Sequence, residues 1–199
     1  MRHASTRATR AAAFPLDEPL DAPGRVAAAA LADVLPQRCE VLSSPAARCR
    51  ETAQAAGLEP RFDAALAECD FGCWAGLPLA DVDADGARAW LLDPDATPHG
   101  GESLRAFAAR VAVWLDGQAR SDGTAVAITH GGVVKAAVVH ALGAPLDAFW
   151  QIDAAPLSLT ELHAHDGRWT VARVNDVVEP AVRAGAGPDA TRPRAEVTA

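Results

Sequence analysis

Ala125-Val126-Ala127-Ile128-Thr129-His130-Gly131-Gly132 reads as a short apolar strand that runs into a polar turn and then a helix. An uninterrupted apolar run suits a strand covered on both faces, as in parallel sheets packed between helices. Gly131-Gly132 opens a helical segment that extends to about Leu142. The same order occurs upstream. The apolar pair Val41-Leu42 ends at Ser43-Ser44-Pro45, and residues 46–56 follow as a helix stopped by Gly57. Strands alternating with helices predict a three-layer α/β/α sandwich with a mostly parallel central sheet. Ligands of such sheets sit at the carboxyl ends of the strands. The two segments in which to look for function are therefore Ser43 to Arg48 and Thr129 to Gly132.

The rest of the chain fits around these units. Residues 1–20 read as loop, with turn chemistry from Phe14 to Pro19, and a helix is expected from Pro23 to Leu35 with Asp21 as its N-cap. Residues 60–63 read as a short strand, 66–85 as irregular, and Ala87–Leu92 as a short helix. From Ser103 to Gln118 the residues Leu104, Phe107, Ala108, Val111 and Leu115 recur at helical spacing. Two closing strands fit at 157–163 and 168–174, hinged at Asp166-Gly167. Beyond Pro180 the composition turns to Ala, Gly, Pro and Arg with little to bury. One catalytic domain over 1–179 and a disordered tail over 180–199 are expected.

Composition narrows the classes of function. The 199 residues are half hydrophobic and lack tyrosine, which is enough for one buried core. The net charge of −8 argues against nucleic acid and anionic membrane surfaces as partners. It leaves room for a phosphorylated small molecule, because a local arginine cluster can be positive within an acidic protein. No run reaches the roughly 20 apolar residues of a membrane span; the longest candidate, Val26 to Leu35, is broken by Asp33. The polar start MRHASTRATR does not read as a signal peptide. The four cysteines form no secreted framework, so a cytoplasmic protein with reduced thiols is expected.

Several residues have the chemistry for phosphate. His3, beside Arg2, is a nucleophile able to attack phosphorus, although a histidine there also reads simply as part of an exposed end. His130 follows a buried-type strand and precedes a helix start, where backbone N–H groups favour anions and Gly131 allows close approach. A structural histidine at a strand end would look the same. Arg48, one turn into a helix after another strand, offers a planar fork for phosphate oxygens, as would an ordinary exposed arginine. Glu68 lies among Phe71 and Trp74, where a carboxyl group can have a raised pKa and act as a general acid; a solvated loop carboxylate is the plainer alternative. Cys69 and Cys73 have no nearby histidine to complete a metal site, so no metal is expected. His99 reads as lining a pocket mouth or as a loop histidine, His140 as structural, and His163 and His165 as surface.

Together and in order, these pieces resemble the histidine phosphatase superfamily, also called phosphoglycerate-mutase-like. The motifs are Arg2-His3-Ala4-Ser5-Thr6, then Ser44 to Ala53 with Arg48 and Thr52. Leu66 to Gly76 follows, carrying Glu68 and Phe71-Gly72-Cys73-Trp74, and then Gly100-Gly101-Glu102-Ser103 and Thr129-His130-Gly131-Gly132. The match spans about residues 1–175. The resemblance implies that His3 is the nucleophile and that Arg2, Arg48 and His130 hold the phosphoryl oxygens, with Gly131 beside them. It implies that Glu68 protonates the leaving alkoxide and then activates water, and that Thr9 stands where the family often has a phosphate-binding Asn. Glu102 and Ser103 would support the pocket. Ala4 replaces the family's Gly. Family members also have an apolar strand before the Arg-His pair, whereas here Met1 directly precedes Arg2; a start upstream of Met1 is the expectation, and loss of the central strand is the alternative.

The implied function is hydrolysis of a small-molecule phosphomonoester through phosphohistidine, with no cofactor, a small phosphorylated metabolite as partner, and a homodimer left open. Segments 71–74 and 149–152 are similar to α-ribazole-5′-phosphate phosphatases, with Trp74 and Trp150 as a stacking wall or as core aromatics. A phosphoglycerate mutase and an inactive binding homologue remain alternatives. The short chain, which lacks the mutases' longer insertions, favours hydrolysis.

Overall fold

The computed structural model describes residues 1–36, 39–121 and 123–177. The expected tail over 180–199, with the last two residues of the expected domain, lies outside the described residues. The elements in chain order are α1 (Arg7–Ala11), α2 (Ala22–Ala29), β1 (Glu40–Ser43), α3 (Ala47–Ala55), β2 (Arg61–Phe62), α4 (Ala84–Leu92), α5 (Leu104–Gln118), β3 (Ala125–Ile128), α6 (Gly131–Leu142), β4 (Ser158–His165) and β5 (Arg168–Val177).

β1 pairs in parallel with β2 on one side and β3 on the other. Side chains alternate across a strand, and the register Val41 to Val126 and Leu42 to Ala127 aligns that alternation. Val41, Val126 and Ile128 pack with Leu31, Leu35, Cys49 and Ala53 on the α3 side. Leu42 and Ala127 face the larger core of Phe107, Val111, Val133 and Ala136, supplied by α5 and α6. The expected three-layer sandwich follows from this two-sided burial. No helix among the described residues is long and apolar enough to cross a membrane.

Residues 1–3 themselves occupy the place beside β3, so the alternative of a lost central strand does not hold for this part of the sheet. The Met1 nitrogen donates to Ala127 O (2.8 Å), Thr129 N–H to Met1 O, and His3 N–H to Thr129 O. On the other side Arg2 N–H donates to Ser158 O, and Leu157 N–H donates to Arg2 O. This short extended segment therefore joins the parallel strands to the antiparallel β4–β5 hairpin. At the hairpin tip Asp166 and Gly167 both have left-handed backbone (φ 48° and 71°), the geometry of a tight two-residue turn.

Three local expectations need correction. Residues 1–20 are not all loop: Thr6 and Thr9 cap α1 reciprocally, side chain to backbone in both directions. The helix expected over 23–35 ends as α-helix at Ala29 and tightens into a 3₁₀ turn over Ala30–Asp33, which brings Leu31 and Leu35 into the core. The helix expected over 87–92 begins three residues earlier, because Asp83 caps it by accepting from Gly86 N–H (2.6 Å).

Candidate active site

The turn after residues 1–3 is tied to α3. Ala4 N–H donates to Thr52 Oγ1 (3.0 Å), and the same hydroxyl donates to Arg48 O (2.7 Å). His3 is thereby held inside the protein, 4 % exposed. Its Nδ1 lies 2.7 Å from Ala4 O. A carbonyl only accepts, so Nδ1 carries the proton and the Nε2 lone pair is the nucleophilic one.

Arg48 Nε–H points at that lone pair and at a second one. It lies 3.2 Å from His3 Nε2 and 3.2 Å from His130 Nδ1. Because His130 accepts through Nδ1, its proton sits on Nε2 and is donated to Ser44 Oγ (2.8 Å). Arg48 is anchored from behind by donation from Nη1 to Leu16 O (2.8 Å). Ser44 is fixed by donating its N–H to Ile128 O, so the ends of β1 and β3 are locked side by side. Burial, reinforced by the Arg48 charge, pushes the His3 pKa down to about 3 and holds His130 well below the usual histidine value. Both rings are neutral at pH 7. The Cys49 thiol lies 3.6 Å from His130 Nε2, but burial pushes its pKa up to about 12, so it is a neutral packing neighbour.

Glu68 approaches from the segment after β2. Its carboxylate accepts from Cys69 N–H (3.1 Å) and from Gly132 N–H at the start of α6 (3.2 Å). Burial raises its pKa; those two N–H groups and the Arg48 and Arg2 charges oppose the rise. A Cβ on Gly132 would overlap Glu68 Oε1, so a larger residue there would push the Glu68 carboxyl group aside. Arg110 on α5 holds the segment in place. It pairs with Glu102 (2.8 Å) and donates from Nη1 to the carbonyls of Ala65 (2.9 Å) and Ala67 (3.0 Å). Thr129 Oγ1 adds a bond to Leu66 O (2.7 Å). Ser103 caps α5, accepting from Ala106 N–H (3.2 Å).

Arg2 donates from Nη1 to Ala154 O (2.5 Å), while its buried Nε–H has no partner among the described residues and lies against Gly131. An unused donor beside a helix start is suited to an anionic oxygen. The structure thus gathers Arg2, His3, Arg48, Glu68, His130 and Gly131 from distant parts of the chain. Thr9 is the exception and corrects the expectation of a phosphate contact. Its hydroxyl donates to Thr6 O (2.8 Å) and accepts from Thr6 N–H (2.8 Å), and both bonds serve the first turn of α1. Ser44, Thr52 and Arg110 are supporting residues to which the motifs assigned no role. Arg110 is the hardest of these to find, since its partners are brought to it only by the fold.

Two clefts share Glu68. One, of about 490 Å³, is lined by Leu16, Asp17, Ser44, Arg48 and His130. The other, of about 500 Å³, is walled by Phe71, Trp74, Trp90, Phe149 and Trp150 and reaches Arg2, Gly131 and Gly132. Its aromatics touch edge to face, for example Trp90 with Trp150 (6.3 Å) and Phe149 with Trp150 (4.9 Å). His99, 2 % exposed, backs this wall edge-on to Trp74 and Trp90 and accepts from Gly101 N–H through Nδ1 (3.0 Å). His140 pairs with Asp116 on the surface (2.8 Å), and His163 and His165 are exposed.

Comparison with known proteins points to one family. The profile of the histidine phosphatase superfamily (branch 1) matches residues 1–177. Glucosyl-3-phosphoglycerate phosphatase of Mycobacterium tuberculosis is 38% identical over 150 residues, covering 66% of this chain and 67% of that protein. Phosphoserine phosphatase 1 of Hydrogenobacter thermophilus is 27% identical over 131 residues, 63% of this chain and 62% of that protein. The native structure of mycobacterial glucosyl-3-phosphoglycerate phosphatase superposes with a TM-score of 0.76 at 31% identity, covering 88% of this chain and 96% of that one.

Proposed function

The chain belongs to the histidine phosphatase superfamily, and from that premise we propose that it hydrolyses a small-molecule phosphomonoester through a phosphohistidine formed on His3. The observation that carries this reading is the pairing of His3 Nε2 with the shared Arg48 N–H. The ring is fixed in the tautomer that exposes a lone pair, and a cation stands at the point of attack.

In the first step the Nε2 lone pair forms a bond to phosphorus as the bond from phosphorus to the ester oxygen breaks. The Arg48 N–H, held between two imidazoles, transfers its hydrogen bond to a phosphoryl oxygen. The unused Arg2 Nε–H binds another, and the His130 Nε2–H, released from Ser44 Oγ, binds a third. Charge stabilisation of this kind dominates phosphoryl transfer. Glu68, whose raised pKa favours the acid form, gives its proton to the departing alkoxide. In the second step water attacks the phosphohistidine, Glu68 takes the proton from water, and inorganic phosphate leaves with His3 restored.

For the substrate, the names of the two relatives both describe esters whose leaving group bears a carboxylate, a phosphoglycerate and a phosphoserine. A phosphomonoester with a carboxylated leaving group is accordingly our first candidate, with glucosyl-3-phosphoglycerate at its head. The aromatic wall gives a sugar or another flat group a surface to lie on. Phosphate release should be screened with EDTA present over 3-phosphoglycerate, its glucosyl derivative, phosphoserine, sugar phosphates and α-ribazole phosphate. The expected result is metal-independent turnover with the carboxylated esters ahead in kcat/KM. Failure to release phosphate from any of them would remove the reading.

A further inference from the structure

Lys135 is the only lysine in the chain; every other basic side chain among its 18 Lys and Arg is arginine. It sits on α6 four residues after Gly131, so it lies on the same helix face one pitch, about 5.4 Å, further along. It lines the aromatic cleft together with Arg2, Glu68 and Gly131. Its Nζ lies 5.5 Å from the centre of the Phe149 ring. Among the described residues it has neither a hydrogen bond nor an ion pair.

A partly buried ammonium resting on an aromatic face has lost water without gaining a charged hydrogen-bond partner. Burial lowers the Lys135 pKa, and the Asp153 and Glu68 carboxylates oppose that shift through space. Asp153 is itself engaged by Ala154 N–H (2.8 Å). With the phosphoryl group against Arg2 and Gly131, the leaving group extends along the cleft towards Lys135. A carboxylate two carbons beyond the ester oxygen spans a distance comparable with one helical pitch.

We propose that Lys135 is a specificity-determining residue whose ammonium binds the carboxylate of the substrate's leaving group. The proposal rests on the phosphatase reading above and adds to it the residue that selects among esters. An arginine there would form a wider fork. A single lysine presents a compact charge that fits between the Phe149 ring and a small acid.

The test compares two esters that differ in one group: 3-phosphoglycerate, and glycerol 3-phosphate, in which a hydroxymethyl replaces the carboxylate. The ratio of their kcat/KM values is measured for the native protein, Lys135→Met, Lys135→Gln and Lys135→Arg. The ratio does not depend on the fraction of active enzyme, so partial misfolding cannot imitate the result. The native ratio should favour 3-phosphoglycerate. It should fall about tenfold in the Met and Gln variants through KM, as expected when a charge-assisted hydrogen bond is lost, and recover in part in the Arg variant. A ratio unchanged in both neutral variants, or a native protein indifferent to the carboxylate, overturns the proposal while leaving the phosphatase reading intact. A native protein that hydrolyses no phosphate ester defeats both, and the native assay alone reports that.

Discussion

At the cluster of His3, Arg48 and His130 the protein itself satisfies nearly every polar atom, whereas the cleft walled by Phe71 to Trp150 offers mostly rings, with Lys135 and Asp153 beside the Arg2 and Glu68 it shares with the reacting cluster. The first region is rigid because each ring nitrogen has an assigned partner, and those partners descend from strand ends that are themselves paired. Such a region suits chemistry common to all phosphate esters. The second region is shaped mainly by volume and aromatic edges, which suits choosing among leaving groups. On our proposal the reaction and its selectivity are carried by different regions, and the contrast teaches that the two should respond differently to substitution.

The sharpest break is His3→Ala. It should lower kcat on every phosphate ester by roughly ten-thousand-fold or more, because the nucleophile is lost whatever the leaving group. A loss confined to some substrates would merge the two regions. Glu68→Gln comes next, with a fall of about 10² to 10³-fold on alkyl phosphates and much less on p-nitrophenyl phosphate, whose leaving group needs no acid. Gly132→Ala should imitate it in direction, since the added methyl displaces the Glu68 carboxylate. Equal losses on both ester types would remove Glu68 as the acid.

Acid stability sharpens the comparison further. The folded-state pKa values of His3 and His130 lie below the unfolded value, so between those values the unfolded chain binds protons that the folded chain does not. Stability is then fully present above about pH 6.5 and is lost as pH falls towards the folded values, near 3 for His3. Glu68, with its pKa raised, acts with the opposite sign: its contribution is present below its unfolded pKa and is lost as pH rises through the folded value. Thermal melts from pH 7 to pH 4 should show Tm falling, with a shallower slope in His3→Gln. An unchanged slope would show that His3 is not held neutral. Trp150→Ala should have the smallest effect. Trp150 is 37 % exposed at the rim, so KM should rise a few-fold for bulky esters and less for small ones, as steady-state kinetics would report.

The same two regions differ in how far the sequence disclosed them. The clustering of His3, Arg48 and His130 was legible because phosphate chemistry needs particular residue types at strand ends, and the segments after β1 and β3 carry Arg48 and His130 in short contiguous stretches. The β3–α6 unit was legible, with its strand at 125–128 and its helix from Gly131 to about Leu142. Thr9 misled because a hydroxyl near His3 can serve either a ligand or a helix cap, and here Thr6 takes it. The α1 helix was missed because its capping box uses Thr9 where Glu or Gln is the usual signal. The aromatic wall was only half visible. Trp74 and Trp150 could be placed on it or in the core, but Trp90 and Phe149 arrive from separate helical turns that no local pattern connects. Arg110 is likewise joined to Glu102 and to the carbonyls before Glu68 by tertiary packing alone.

Trapping the covalent intermediate tests the central claim most directly. The native protein would be mixed rapidly with a good substrate, quenched in alkali to preserve phosphohistidine, and mapped by mass spectrometry. A phosphoryl group on His3, absent after His3→Ala, is the predicted result. A phosphoryl group on any other residue, or full turnover with none on His3, would contradict the account.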